Sequence, residues 1–191
     1  MTAPDDYFEY LQKRSWLGAI YRKLWLYPKL NIYLQGSVLD VGCGIGDFLS
    51  YRANTVGVDI NPKTVEWCRQ RGFEAWIMTK DELPFPDKMF DGAVLDNVVE
   101  HIEKPEPLLY EVHRVLRRQA RLIVGVPGRC GFSIDPDHKV FYSERKLIKV
   151  VSKCGFNLLK VFAMPLNFRW LESRLSQYCI YGVFQWTEDG F

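Results

Sequence analysis

Nothing in the chain is long and apolar enough to cross a bilayer, no cysteines are paired in a metal-binding spacing, and there is almost no net charge. The longest uncharged run, Leu175 to Thr187, is shorter than the roughly 18 residues a membrane span needs. Asp5 and Asp6 stand where a secretory leader would place a basic region and an apolar core, so a soluble, cytoplasmic protein is expected. The five cysteines, at 43, 68, 130, 154 and 179, form no C-x-x-C pair and no His-spaced ligand pattern. They read as reduced packing thiols, and no metal is expected. A net charge of +2 carries no basic stripe of the kind nucleic-acid binders show, which disfavours DNA and RNA as partners. Internal repeats, low-complexity tracts and linkers are also missing. With 48% hydrophobic residues among 191, the chain can bury one substantial core, so one domain is expected.

What the chain does have is the stretch Val38 to Leu49, V-L-D-V-G-C-G-I-G-D-F-L. Its pattern is a strand, a tight turn on Gly42, Gly44 and Gly46, then a helix start. Glycine in such a turn permits positive φ and lets a ligand approach the main chain, and the following helix offers free N–H groups. The next apolar run, from Thr55, ends in Asp59. That is about 20 residues beyond Asp40, the spacing at which a second strand presents a carboxylate to a ribose diol. Asp47 occupies the position where a G-x-G-x-x-G fingerprint needs its third glycine, which weakens a dinucleotide reading.

Elsewhere strands and helices alternate. Asn61 and Pro62 open a helix that closes at Gly72; Glu74 to Met78 forms a short strand, and Asp81 to Asp87, with two prolines, an irregular loop. Phe90 to Leu95 reads as a buried strand with a helix opening near Val98, Pro107 to Arg118 as an amphipathic helix, and Arg121 to Val126 as a fifth strand. Gly128 to Tyr142 is a long loop, followed by a Ser143-capped helix, a strand over Phe156 to Phe162, a helix over Phe168 to Tyr178 and a closing strand over Ile180 to Trp186. This order predicts an α/β fold with ligands at the carboxyl ends of parallel strands, where Asp40, Asp59, Asp96 and Asn97 fall. Before the first strand, Phe8, Leu11, Trp16, Leu17, Ile20, Leu24 and Trp25 recur at helical spacing, with Pro28 breaking the pattern into two helices. An aromatic stripe of this kind is usually core. The alternative is a basic, aromatic flank, with Lys13, Arg14, Arg22, Lys23 and Lys29, that touches a membrane surface or an anionic substrate.

V-L-D-V-G-C-G-I-G, V-D at Val58 and Asp59, L-P-F-P-D from Leu83, F-D at Phe90, E-H-I from Glu100 and H-R-V-L from His113 together resemble the class I S-adenosylmethionine-dependent methyltransferases. The resemblance runs from about Val38 to Pro127. It implies a Rossmann-like sheet of seven mostly parallel strands, helices on both faces and the last strand antiparallel. It also implies a division into an N-terminal helical lid (1–36), a cofactor-binding core (37–163) and a C-terminal helix with the closing strand (164–191). S-adenosylmethionine is the implied cofactor. By the same resemblance the turn from Asp40 through Gly42, Gly44 and Gly46 holds its methionine part, Asp59 accepts from both ribose hydroxyls, Ile60 packs on the adenine, and the carbonyl at Asp96 or Asn97 meets the ammonium. The L-P-F-P-D loop at Leu83 belongs with the adenine. The acid the family often carries there is replaced by Thr79, so Thr79 or Asp81 takes that contact. Gln119 and Ala120 replace the family's glycine pair before the fifth strand.

The D/N-P-P-Y motif of amide- and base-methylating relatives is absent, so the acceptor is expected to be a small or lipid-linked molecule, methylated at oxygen. A scaffold or regulatory subunit that binds the cofactor without turnover is the competing class. His138, in the loop after the fifth strand and near Asp135 and Asp137, is the candidate general base, against a plain loop-anchoring role. His101 reads as structural or cofactor-side.

Overall fold

The computed structural model describes Phe8 and residues 15–188. Lys13, Arg14 and Leu11 of the expected first helix lie outside the described residues. In chain order the elements are α1 (Trp16–Tyr21), a π-helical turn (Arg22–Leu26), α2 (Tyr27–Asn31), β1 (Val38–Val41), α3 (Asp47–Tyr51), β2 (Thr55–Asp59), α4 (Pro62–Gln70), β3 (Ala75–Ile77) and β4 (Phe90–Asp96). There follow a 3₁₀ turn (Val99–His101), α5 (Glu106–Val115), β5 (Leu116–Pro127), α6 (Arg129–Ile134), α7 (Glu144–Lys153), β6 (Phe156–Met164), a second 3₁₀ turn (Arg169–Leu171) and β7 (Cys179–Trp186).

The seven strands make one sheet in the order β3-β2-β1-β4-β5-β7-β6. Pairing is parallel from β3 through β5, and β7 runs antiparallel between β5 and β6. The order reverses at β1, so the strand ends of β1 and β4 open a crevice where an α/β sheet binds ligands. Side chains along the strands alternate between two cores. Leu39, Val41, Ala93, Leu95, Leu122 and Val124 join the core under α5 and α7. Val38, Val94, Ile123 and Val183 join the core under the N-terminal helix, which contributes Leu26, Tyr27 and Leu30.

Local signals set the boundaries of several helices. Asn61 accepts from Lys63 N–H at the start of α4, and Ser143 caps α7 through Lys146 N–H. Gly46, at φ +81°, caps α3, and a Cβ there would meet the Cys68 sulfur at 3.0 Å. Gln119 adopts φ +63°, so the turn before the sheet-forming part of β5 keeps a left-handed residue without the glycine pair.

Five expectations are corrected. Pro28 does not split the N-terminal segment: it sits at the start of α2 directly after the π turn, whose wider register gives the ring room. The aromatic stripe is not core, since Trp16, Leu17, Ile20, Leu24 and Trp25 are all exposed; the buried side of the segment is Leu26, Tyr27 and Leu30. The amphipathic helix stops at Val115 rather than Arg118, because Leu116 pairs with Phe90 and Met89 N–H is already bonded to Val115 O. The long loop after β5 contains α6. Finally, the helix expected over Phe168 to Tyr178 reduces to the short 3₁₀ turn, because its amides close local turns onto Leu171 and Leu175.

Candidate functional site

A cavity of about 460 Å³ opens at the carboxyl ends of β1, β4 and β5. Of the residues singled out in the sequence, Asp40, Gly42, Gly44, Asp96, Asn97, His101 and His138 line it. Gly42 and Gly44 take φ of +74° and +52°, a conformation that side chains disfavour and that exposes the turn's main chain. A Cβ on Gly42 would come within 2.6 Å of Val98 Cγ2. Gly46 stands behind the turn.

Asp59 is buried, and its carboxylate accepts from Gly44 N–H at 2.9 Å and Asn61 N–H at 2.8 Å. It ties the ends of β1 and β2 together. The Thr64 hydroxyl and the Ile60 N–H also reach this carboxylate, so its roughly four lone-pair positions are engaged by its own loop, and Asp59 stands behind the residues that line the cavity. Burial raises its pKa, opposed by the Asn61 and Gly44 amides. Ile60 beside it is 61% exposed, an apolar side chain left facing outward. Thr79 and Asp81 are exposed and do not line the cavity. Thr79 Oγ1 accepts from Glu82 N–H, so its hydroxyl serves a local turn. Leu83 is buried, its N–H donating to Glu111 Oε2 and its carbonyl accepting from Arg114.

The β4 end is a network of side chains. Asp96 Oδ1 accepts from Tyr181 OH at 2.8 Å and from Asn97 Nδ2 at 3.0 Å. Asn97 sits at φ +57°, with its N–H on Gly125 O and its Oδ1 accepting from Cys179 Sγ. Asp40 is 5% exposed. Burial first, then the Asp96 charge, hold its pKa well above the usual carboxylate range. Asp96 and Asp135 border the cavity along with Asp40 and the Arg22-paired Asp47, so acids outnumber bases there and its electrostatics suit a cationic ligand. A ligand carrying a sulfonium and an ammonium fits that donor set.

His138 is not oriented by a carboxylate as the sequence suggested. Its Nδ1 meets the Phe132 carbonyl at 3.0 Å and its ring stacks on Phe132. Asp135 Oδ2 stands 3.8 Å from Nε2. His101 Nδ1 faces the Asp137 carbonyl at 3.3 Å, and the two imidazole rings lie 4.7 Å apart. Burial lowers the His101 pKa, with His138 adding to the shift.

Several lining residues carry no sequence signal. Tyr21 and Tyr27 reach the cavity from the N-terminal helix, together with Arg22, named in the sequence only as part of the basic flank, which pairs with Asp47 at 2.9 Å. Tyr181 and Cys179 arrive from β7, more than 80 residues from their Asp96 and Asn97 partners. Glu100, read only as part of a motif, is fully buried beside the two histidines.

Residues 39–124 match the family model described as a methyltransferase domain. A fatty-acid O-methyltransferase of Mycolicibacterium smegmatis is 35% identical over 155 residues, covering 71% of this chain and 52% of that protein. The Homo sapiens protein named "Probable tRNA methyltransferase 9B" is 33% identical over 134 residues, covering 66% of this chain and 25% of that protein. The chain thus spans about half of the first and a quarter of the second. A solved structure of an S-adenosylmethionine-dependent methyltransferase from Thermotoga maritima shares the fold, with a TM-score of 0.75 at 21% identity over 98% of this chain and 100% of that one. The motif order, the sheet topology and the matched domain agree on a class I S-adenosylmethionine-dependent methyltransferase domain, and that domain implies S-adenosylmethionine as the cofactor.

Proposed function

We propose that this domain transfers the methyl group of S-adenosylmethionine to an oxygen of an apolar or lipid-linked acceptor taken from a membrane surface. S-adenosylmethionine, when bound, would supply the electrophilic methyl group and leave as a neutral thioether, and an acceptor hydroxyl would in the same exchange give up its proton to water, an ionised oxygen having none to lose. The chain's own contribution is alignment, which can supply about 7 kcal/mol or more of the barrier. On this reading the glycine turn and Asp40 hold the methionine part, and Asp96 and Asn97 fix the ammonium. Asp59 takes the ribose in exchange for part of its local hydrogen bonding, Ile60 covers the adenine, and Leu83 shapes the far end of that site.

The observation that carries the acceptor class is the N-terminal helix. It lines the cavity with Gly18, Tyr21 and Arg22 and turns Trp16, Leu17, Ile20, Leu24 and Trp25 outward, 45 to 69% exposed. Trp25 Nε1 donates to the Pro165 carbonyl, which brings exposed Leu166 and Phe168 into the same neighbourhood. Aromatic and aliphatic side chains beside Lys23 and Lys29 form the face of an interfacial helix. This helix serves as the cavity's lid. The acid-lined cavity wall disfavours a polyphosphate acceptor such as RNA, and no helix among the described residues is long and apolar enough to span the membrane.

The test is co-sedimentation with anionic vesicles, combined with transfer of labelled methyl groups into extracts split into organic-soluble, aqueous and RNA fractions. Binding that falls with salt, label in the organic fraction, and loss of both in a Trp16→Ser/Leu24→Ser variant are the expected results. Each exposed apolar side chain is worth about 1.5 to 3 kcal/mol when buried, so the double variant should bind vesicles at least roughly 10-fold more weakly. Label confined to RNA or to the aqueous fraction would overturn the proposal.

A further inference from the structure

Glu100 is fully buried, and neither of its carboxylate oxygens has a hydrogen-bond partner among the described residues. A buried carboxylate needs a counter-charge, and a buried neutral acid still needs an acceptor for its hydroxyl. No other described residue supplies either, since His138 Nε2 stands 3.9 Å from Oε1, too far for a hydrogen bond, and the one main-chain N–H that acts on the carboxyl is Glu100's own.

Both neighbouring histidines are set up for the same role. His138 Nδ1 is against the Phe132 carbonyl and His101 Nδ1 against the Asp137 carbonyl. A carbonyl can only accept, so each Nδ1 carries the proton and each Nε2 keeps a lone pair. That is the arrangement in which metal-binding histidines are oriented by backbone oxygens. One ligand atom from each of Glu100, His101 and His138 lies within 4.8 Å of the others. Tetrahedral coordination at about 2.0–2.1 Å would bring them to roughly 3.4 Å apart, a contraction of up to about 1.4 Å that side-chain rotation would have to supply.

The cluster is built in advance. Lys139 and Val140 N–H both donate to the Glu100 carbonyl, clamping the segment that follows His138 onto the 3₁₀ turn that bears Glu100 and His101. His101 and His138 also line the cavity.

We propose that Glu100, His101 and His138 bind one divalent transition-metal ion, of which zinc is the type, at the cavity wall, leaving its remaining coordination positions open to the cavity. Two imidazoles and one carboxylate favour such an ion over magnesium or calcium, which prefer all-oxygen shells. The open positions suit an oxygen ligand. The sequence expectation of no metal rested on local spacing, whereas these ligands come together only in the fold. The site does not depend on which acceptor is used.

Chelator-stripped protein is titrated with zinc and, separately, with magnesium by calorimetry, and with cobalt by visible absorption. The expected result is one zinc ion per chain, cobalt bands of a low-symmetry site, and zinc affinity lowered at least about 100-fold in Glu100→Gln and in His138→Ala. Retained S-adenosylhomocysteine binding by both variants certifies that they are folded. His101→Ala serves in place of either variant that fails this control. Absence of stoichiometric zinc uptake by the parent protein, or equal uptake by the folded variants, would overturn the site, and neither result would bear on cofactor binding.

Discussion

The two walls of the cavity are built by different means. At the end of β1 the wall is largely backbone, with glycines at positive φ braced from behind by the buried Asp59 carboxylate at the end of β2, which accepts main-chain N–H bonds. At the ends of β4 and β5 it is side chains, Asp96 with Tyr181, Asn97 with Cys179, and Glu100 with two histidines, closed over by the N-terminal helix. A wall of main chain reads a ligand through shape and fixed dipoles, and few sequences can make it. A wall of side chains can be rewritten residue by residue without disturbing the sheet. The first suits an invariant cofactor, whose ammonium reaches across to Asp96 and Asn97, and the rest of the second suits an acceptor that differs between relatives named for fatty acids and for tRNA.

The sharpest way to break this contrast is Asp59→Ala. Besides ribose contacts, it removes the acceptor of the Gly44 and Asn61 N–H bonds, so the turn loosens together with the site. Losing hydrogen bonds to a charged acceptor costs about 1.5 to 3 kcal/mol, and S-adenosylhomocysteine affinity should fall on the order of 100-fold, with a lower melting temperature. Unchanged calorimetric affinity would leave Asp59 with a structural role only.

A smaller effect separates the walls electrostatically. In the free protein Asp40 is held toward its neutral form by burial and by Asp96. A bound cation favours the ionised form, so cofactor binding should release a proton at pH values below the free protein's raised Asp40 pKa. Affinity should then rise with pH up to that value and level off above it. Calorimetry in buffers of different ionisation enthalpy measures the proton count. A count of zero across the acid range would remove Asp40 from the cationic part of the site.

The smallest effect concerns the loop that carries Leu83. Glu111 accepts from Leu83 N–H and pairs with Arg114, which also holds the Leu83 and Phe85 carbonyls. Hydrogen bonding to Arg114 depresses the Glu111 pKa. Its contribution is therefore present above the unfolded value of about 4.3 and lost as pH falls through the depressed folded value. Glu111→Gln should cost about 1 kcal/mol or less at neutral pH, since the pair is partly solvated. The gap in melting temperature between parent and variant should close in acid; a gap independent of pH would show that charge plays no part.

The legible part of the molecule follows the same division. The strand, the glycine turn and Asp59 are local features, visible at fixed spacings; the parallel part of the sheet follows from alternation, and the antiparallel last strand from the family resemblance that the motifs carry. The other wall was hidden because its partners are distant: Glu100 meets His138 and Asp96 meets Tyr181 only through the fold. Leu116 to Arg118 reads as helix because Leu and Arg are good helix formers, but strand pairing with Phe90 overrides that preference. Trp16 and Leu24 look like core by periodicity, which reports that a face is apolar and not what covers it.

The most direct measurement is S-adenosylhomocysteine affinity, by calorimetry, in the parent protein, in Asp59→Ala and in Trp16→Ser/Leu24→Ser. If the backbone wall holds the cofactor and the helix serves the acceptor, Asp59→Ala weakens binding on the order of 100-fold while the double variant binds as the parent does. Loss of affinity in the double variant, with Asp59→Ala unaffected, would contradict the division of the cavity into a cofactor wall and an acceptor wall.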